Sequence, residues 1–240
     1  MSERSERSGG RGGSSPLEEA QMSALSLHAE NLSLGYNGHP VLSGVNLEAR
    51  AGEILVIVGA SGCGKSTLLR AFAGLLPVTT GALRAGGAPI TGPSRDRALI
   101  FQDDALLPWR NARRNVELAL ALRGVPRARR RTEALSWLTR VGLGEQGDRL
   151  PRELSGGMRQ RVQLARTLAA EPRAILMDEP FGALDAQTRA TMQRLLLDVL
   201  ADAPATVVFV THDMEEARLL GDRVVRLTPS GVAELKEEVA

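Results

Sequence analysis

The segment Gly59-Ala60-Ser61-Gly62-Cys63-Gly64-Lys65-Ser66-Thr67 constrains this chain more than any other. It follows the apolar run Ile54–Val58 and precedes Leu68-Leu69-Arg70-Ala71-Phe72. A glycine-rich turn therefore joins a buried parallel strand to the start of a helix. Glycines let the backbone curl until several N–H groups face one anion. The helix N-terminus adds partial positive charge at the same point. Lys65 supplies a full charge for β/γ-phosphates, and Ser66 a hydroxyl for Mg²⁺. Strand, loop and helix in this order predict a nucleotide-phosphate cradle. Lys65 is one of two lysines, with Lys236, among 30 basic residues, so its survival against an arginine bias singles it out. Cys63 reads as a small packed residue without chemistry of its own.

A second strand of this kind, Ala174–Met177, ends in Asp178-Glu179. A carboxylate at the end of a parallel strand beside a phosphate loop can hold Mg²⁺, which is the role Asp178 fits. Glu179 points elsewhere and is the candidate general base for an attacking water. Val207–Val210 is a third buried run, and strands alternating with helical patterns predict an α/β domain with a mainly parallel sheet. Shorter β-type runs at Leu25–His28 and Val41–Leu47, with a turn signal at Asn37-Gly38, place a β region near the N-terminus. From Asn111 to about Ala170 the periodicity is helical and no strand is evident. Val116, Leu118, Leu120 and Leu122 precede an Arg-rich turn with Pro126, and Thr132–Val141 forms a second helix. Residues 1–23 are rich in Ser, Gly, Arg and Glu, a composition that predicts a disordered tail.

Leu154-Ser155-Gly156-Gly157-Met158-Arg159-Gln160-Arg161 opens another helix. Ser155 is a good N-cap, and the two glycines leave N–H groups uncovered, which makes a second anion site. One nucleotide does not need two such sites from one chain, so a second protomer would account for both. Here the chain resembles the ATP-binding-cassette (ABC) family, whose signature string this is. The resemblance covers about Leu25 to Leu227. It implies a P-loop NTPase core of mixed, mainly parallel sheet, an antiparallel β region near the N-terminus, and a helical subdomain (about 103–165) within one nucleotide-binding domain over 24–240. It implies that Tyr36 stacks on adenine, that Gln102 is the Q-loop glutamine and shares Mg²⁺ with Ser66 and Asp178, and that His212 is the switch histidine. Gly59, Ala60, Ser61, Gly62, Cys63, Gly64, Lys65, Ser66 and Thr67 would bind ATP from one subunit. Ser155, Gly156, Gly157 and the D-loop Asp185 would close from the other. Glu179, His212 and Gln102 would carry catalysis.

The net charge of +2 implies no strong field for nucleic acid, and Arg127, Arg129, Arg130 and Arg131 read as a solvated helix start. A lone cysteine permits no intramolecular disulfide, and no apolar run spans a bilayer. The expectation is an ATPase at the cytoplasmic face of a membrane, acting as a homodimer beneath separate permease subunits and, through them, an extracytoplasmic solute-binding protein. Leu106-Leu107-Pro108-Trp109, shortly after Gln102, resembles the nitrate, sulfonate and taurine importer branch of the family. Importers of thiamine precursors carry similar strings. Soluble cassette ATPases outside transport usually carry two cassettes or a long coiled-coil insertion, and neither is present here.

Overall fold

The computed structural model describes residues 24–101 and 105–235. The expected tail and Gln102 lie outside these residues. The first strands, β1 (Leu27–Tyr36) and β2 (His39–Ala49), form a hairpin closed by Asn37 and Gly38 at φ 49° and 81°. Both turn residues have positive φ, the geometry that matches hairpin twist and favours Asn-Gly. With β4 (Thr80–Ala85) and β5 (Ala88–Pro89) they make an antiparallel sheet of order β2-β1-β4-β5.

The second sheet is built on β3 (Ile54–Val58), with β6 (Arg97–Ile100), β7 (Ala174–Asp178), β8 (Thr206–Val210), β9 (Arg223–Thr228) and β10 (Gly231–Glu234). Its order is β10-β9-β3-β8-β7-β6, parallel from β9 to β6, with β10 antiparallel at the edge. Strand β3 is buried at every position because both faces of the sheet are covered. Ile54, Val56 and Val58 pack with the helices that follow the loop after β6, whereas Leu55 and Ile57 pack with the antiparallel sheet and α1 (Lys65–Phe72).

Between β6 and β7 the described residues hold α2 (Ala112–Arg123), α3 (Arg127–Arg140), two short 3₁₀ turns and α4 (Gly156–Ala169). The α/β class, the antiparallel region and the helical insertion are thus as expected. Helix α3 starts five residues before Thr132, and the expected Arg-rich turn is its first turn. Pro126 sits at the N-cap, where a missing N–H costs nothing, and Arg130 Nε donates to the Val125 carbonyl at 2.7 Å. After β7 the described residues continue with α5 (Ala186–Asp202), β8, α6 (Met214–Leu220), β9 and β10. No helix among the described residues is long and apolar enough to cross a membrane.

Candidate functional site

The carboxyl ends of adjacent parallel strands deliver three segments to one place. Strand β3 leads into the glycine loop, β7 ends at Asp178, and β8 leads through Thr211 to His212. Ligands of open α/β sheets bind at such strand ends. A cleft of about 410 Å³ opens there, lined by the loop and by Asp178, Glu179 and His212.

Glycine is required in the loop for steric reasons at two points. A Cβ on Gly59 would lie 2.6 Å from the Leu227 carbonyl oxygen and 2.9 Å from Cys63 Sγ. Gly64, at φ 103°, caps α1, and a Cβ there would meet Leu42 Cδ2 at 2.7 Å. Both positions press the loop backbone against the antiparallel sheet and β9. Lys65 is only 8% exposed, and its Nζ donates to the carbonyls of Gly59 (2.8 Å) and Ala60 (2.9 Å). The loop's own oxygens thus hold the ammonium across its mouth. Cys63 is buried and unpaired by disulfide, packed with the core behind the loop.

Asp178 and Glu179 face different surroundings. Burial lifts the Asp178 carboxyl above the ordinary range; the Ser66 hydroxyl donates to it and opposes the lift, and the neighbouring Glu179 charge adds to it. Glu179 has φ 46°, a left-handed conformation that costs a non-glycine residue about 1 kcal/mol. Its N–H donates to the Val210 carbonyl at 3.0 Å, and its own carbonyl accepts from Gly182 at 3.2 Å. Those bonds fix the turn that swings the side chain toward His212, whose Nδ1 lies 3.3 Å from Glu179 Oε2.

Tyr36 stands beside this cleft, at the first turn of α1. Burial pushes its phenol pKa up, but hydrogen bonds from Arg70 and Thr67, with the Arg70 charge, outweigh that and hold it below the usual value. Arg70 Nη1 donates to Tyr36 Oη at 3.5 Å, and the Arg70 charge also reaches Asp178. Sequence reasoning missed Arg70, because no spacing rule marks a helix arginine as a neighbour of a strand tyrosine.

Ser155, Gly156, Gly157 and Asp185 do not line the cleft. Ser155 caps α4, accepting from the Met158 N–H at 3.2 Å. Gly156 is open to solvent, with no atom nearer to an added Cβ than Arg159 Nη2 at 3.9 Å. Gly157 backs onto the segment after Glu179, where a Cβ would lie 3.2 Å from Leu184 Cδ2. Asp185 caps α5, accepting from the Thr188 N–H at 3.0 Å and the Thr188 hydroxyl at 2.7 Å. These bonds hold its carboxyl below the usual range.

A glycine loop on a parallel sheet, strand-end carboxylates and a capped signature helix define a nucleotide-binding cassette. The model of the ABC transporter family matches residues 42–182, and this chain belongs to that family. It is an ABC transporter ATPase. A taurine import ATP-binding protein TauB of Chromobacterium violaceum is 51% identical over 205 residues, covering 85% of this chain and 78% of that protein. The protein of the same name from Mesorhizobium japonicum is 50% identical over 202 residues, covering 83% and 79%. The ATP-binding cassette MJ0796, solved as a dimer in a post-hydrolysis state with ADP and Pi, superposes with a TM-score of 0.79 at 32% identity, covering 88% of this chain and 99% of that one.

Proposed function

We propose that this chain is the ATP-hydrolysing subunit of a taurine importer, one nucleotide-binding domain over 24–240 working as a homodimer at the cytoplasmic face beneath permease subunits. The observation that carries ATP hydrolysis is the convergence of Lys65, Ser66, Asp178, Glu179 and His212 on one cleft. The likeness to relatives named for taurine import, near half identity over most of both chains, supports the cargo.

Lys65 and the loop N–H groups bind the β- and γ-phosphates, and Tyr36 stacks on the adenine. Ser66 and Asp178 would hold Mg²⁺, with Gln102 completing the set. The donors fit: a hydroxyl and a carboxylate stand in hydrogen-bond contact, and a cation there would reverse the burial cost of the charge. Mg²⁺ held there would offset the negative charge of the triphosphate. Glu179 orients and deprotonates a water for attack on the γ-phosphorus, the bond to the ADP oxygen breaks, and phosphate leaves. His212 holds Glu179 and reads the γ-phosphate.

Ser155, Gly156 and Gly157 close on the γ-phosphate from the second subunit, with Asp185 at the same junction. ATP then favours the closed dimer, and loss of phosphate permits opening. In cells lacking the chain, uptake of labelled taurine should cease and return when it is restored. Undiminished taurine uptake in those cells, with loss of nitrate or thiamine-precursor uptake instead, would reassign the cargo.

A further inference from the structure

We propose that Arg189 is a positioning residue that ties the segment bearing Asp185 to the segment bearing His212, so that the state of the subunit junction reaches the hydrolytic site. Its Nη2 donates to the Leu184 carbonyl at 3.2 Å, immediately before Asp185. Its Nη1 lies 3.7 Å from Asp213 Oδ2, immediately after His212. One rigid, planar fork thus bridges two loops that come from different strands.

The anchor on the far side is itself well fixed. Asp213 Oδ1 accepts from the N–H groups of Glu215 (2.9 Å) and Glu216 (3.3 Å) and so caps α6. The Asp213 N–H donates to the Thr211 hydroxyl at 3.0 Å, at the end of β8. A second tie lies one turn further along α5. Gln193 Nε2 donates to Glu216 Oε1 at 2.9 Å, and both side chains are buried. Arg189 and Gln193, one turn apart on α5, therefore reach the N-cap and the third residue of α6.

The consequence is mechanical. A displacement of Asp185 cannot occur without moving Leu184, and Arg189 carries that motion to the residue next to His212. His212 in turn lies 3.3 Å from the Glu179 carboxylate. The tie gives the catalytic pair a route to the junction that bypasses the nucleotide. It rests on the dimeric ATPase reading above.

Steady-state ATP hydrolysis by the full chain tests it, as a double-mutant cycle of Arg189→Ala and Asp213→Asn. Asparagine keeps the cap acceptor of α6 and removes only the charge. Each single variant should lose about 10-fold in kcat with KM for ATP unchanged, and the pair should lose no more than either alone, because both break one link. Arg189→Lys, which can reach one anchor but not both, should recover only part of kcat. Full kcat in either single variant, multiplied losses in the double variant, or a loss confined to KM would overturn the proposal. If Arg189→Ala does not fold, Asp213→Asn and Arg189→Lys still decide it. Lys65→Ala is measured alongside: normal turnover in that variant would show that the site reading failed, not the tie.

Discussion

Asp178 and Glu179 carry the same functional group one residue apart, and the backbone gives them opposite circumstances. Asp178 ends a strand, half-buried beneath the Ser66 hydroxyl, and burial lifts its pKa. Glu179 turns out of the strand through a left-handed φ and meets His212. Two predictions separate their roles. Glu179→Gln keeps the shape and an acceptor for His212 but cannot take a proton. Turnover should fall by about 100-fold or more while ATP still binds, read by ATPase assay beside nucleotide affinity. Asp178→Asn should also stop turnover, yet it should raise the thermal midpoint of the nucleotide-free, Mg²⁺-free chain at neutral pH. The sign follows from linkage. A folded pKa raised above the unfolded one contributes stability below the unfolded pKa, and that contribution is lost as pH rises through the folded pKa. The midpoint gap between variant and parent should thus be small near pH 4 and widen toward neutrality, as pH passes the lifted pKa of Asp178. A variant less stable than its parent at neutral pH would contradict the burial argument.

At the scale of elements, the loop before α2 shows how one buried side chain can organise an exposed one. Asn115 is fully buried. Its Oδ1 accepts from the Leu107 N–H at 2.9 Å, and its Nδ2 donates to the carbonyls of Leu107, Arg110 and Asn111. The loop so held presents Trp109 at 72% exposure. Asn115→Ala would strand those groups without partners, at a cost of about 2 kcal/mol in a urea-unfolding measurement. Basal ATPase should be largely kept, since the cleft is elsewhere. This organising asparagine was not legible in the sequence, because its partners are backbone groups and leave no mark on residue identity. The elements that were legible announce themselves locally. Ile54–Val58, Ala174–Met177 and Val207–Val210 are apolar throughout because helices and the second sheet cover both faces. Asn37-Gly38 marks its hairpin because few other pairs accept two positive φ values. Strands β4, β5, β9 and β10 went unmarked, since they are short edge or near-edge strands with mixed burial. Strand β1 was read only at its start, because register shifts between Ala29 and Gly35 interrupt the alternation. Within the site, the loop, Asp178 and Glu179 could be read from spacing, whereas Arg70 and Arg189 act through contacts that only the fold creates.

At the scale of the whole molecule, the decisive fact is a separation. Lys65 lines the cleft, while Ser155 and Gly156 stand at the start of α4 and do not line it. If both turns hold one nucleotide, as proposed above, the site is completed only by a second chain, related to the first by two-fold symmetry. Mixing separately inactivated chains tests this directly. Lys65→Ala removes the charge from the loop. Gly156→Glu places a carboxylate at the first turn of α4, where there is space for a Cβ and where the helix dipole favours an acid. The fold should therefore tolerate it, while its charge repels a γ-phosphate approaching that turn. Each variant alone should be inactive. In a heterodimer, the intact loop of the Gly156→Glu chain faces the intact signature turn of the Lys65→Ala chain. Random pairing of equal amounts makes about half of the dimers mixed, each with one sound site of two, so the mixture should regain about a quarter of parental ATPase. A site completed within a single chain would leave the mixture as inactive as its components, because neither chain then carries both turns intact.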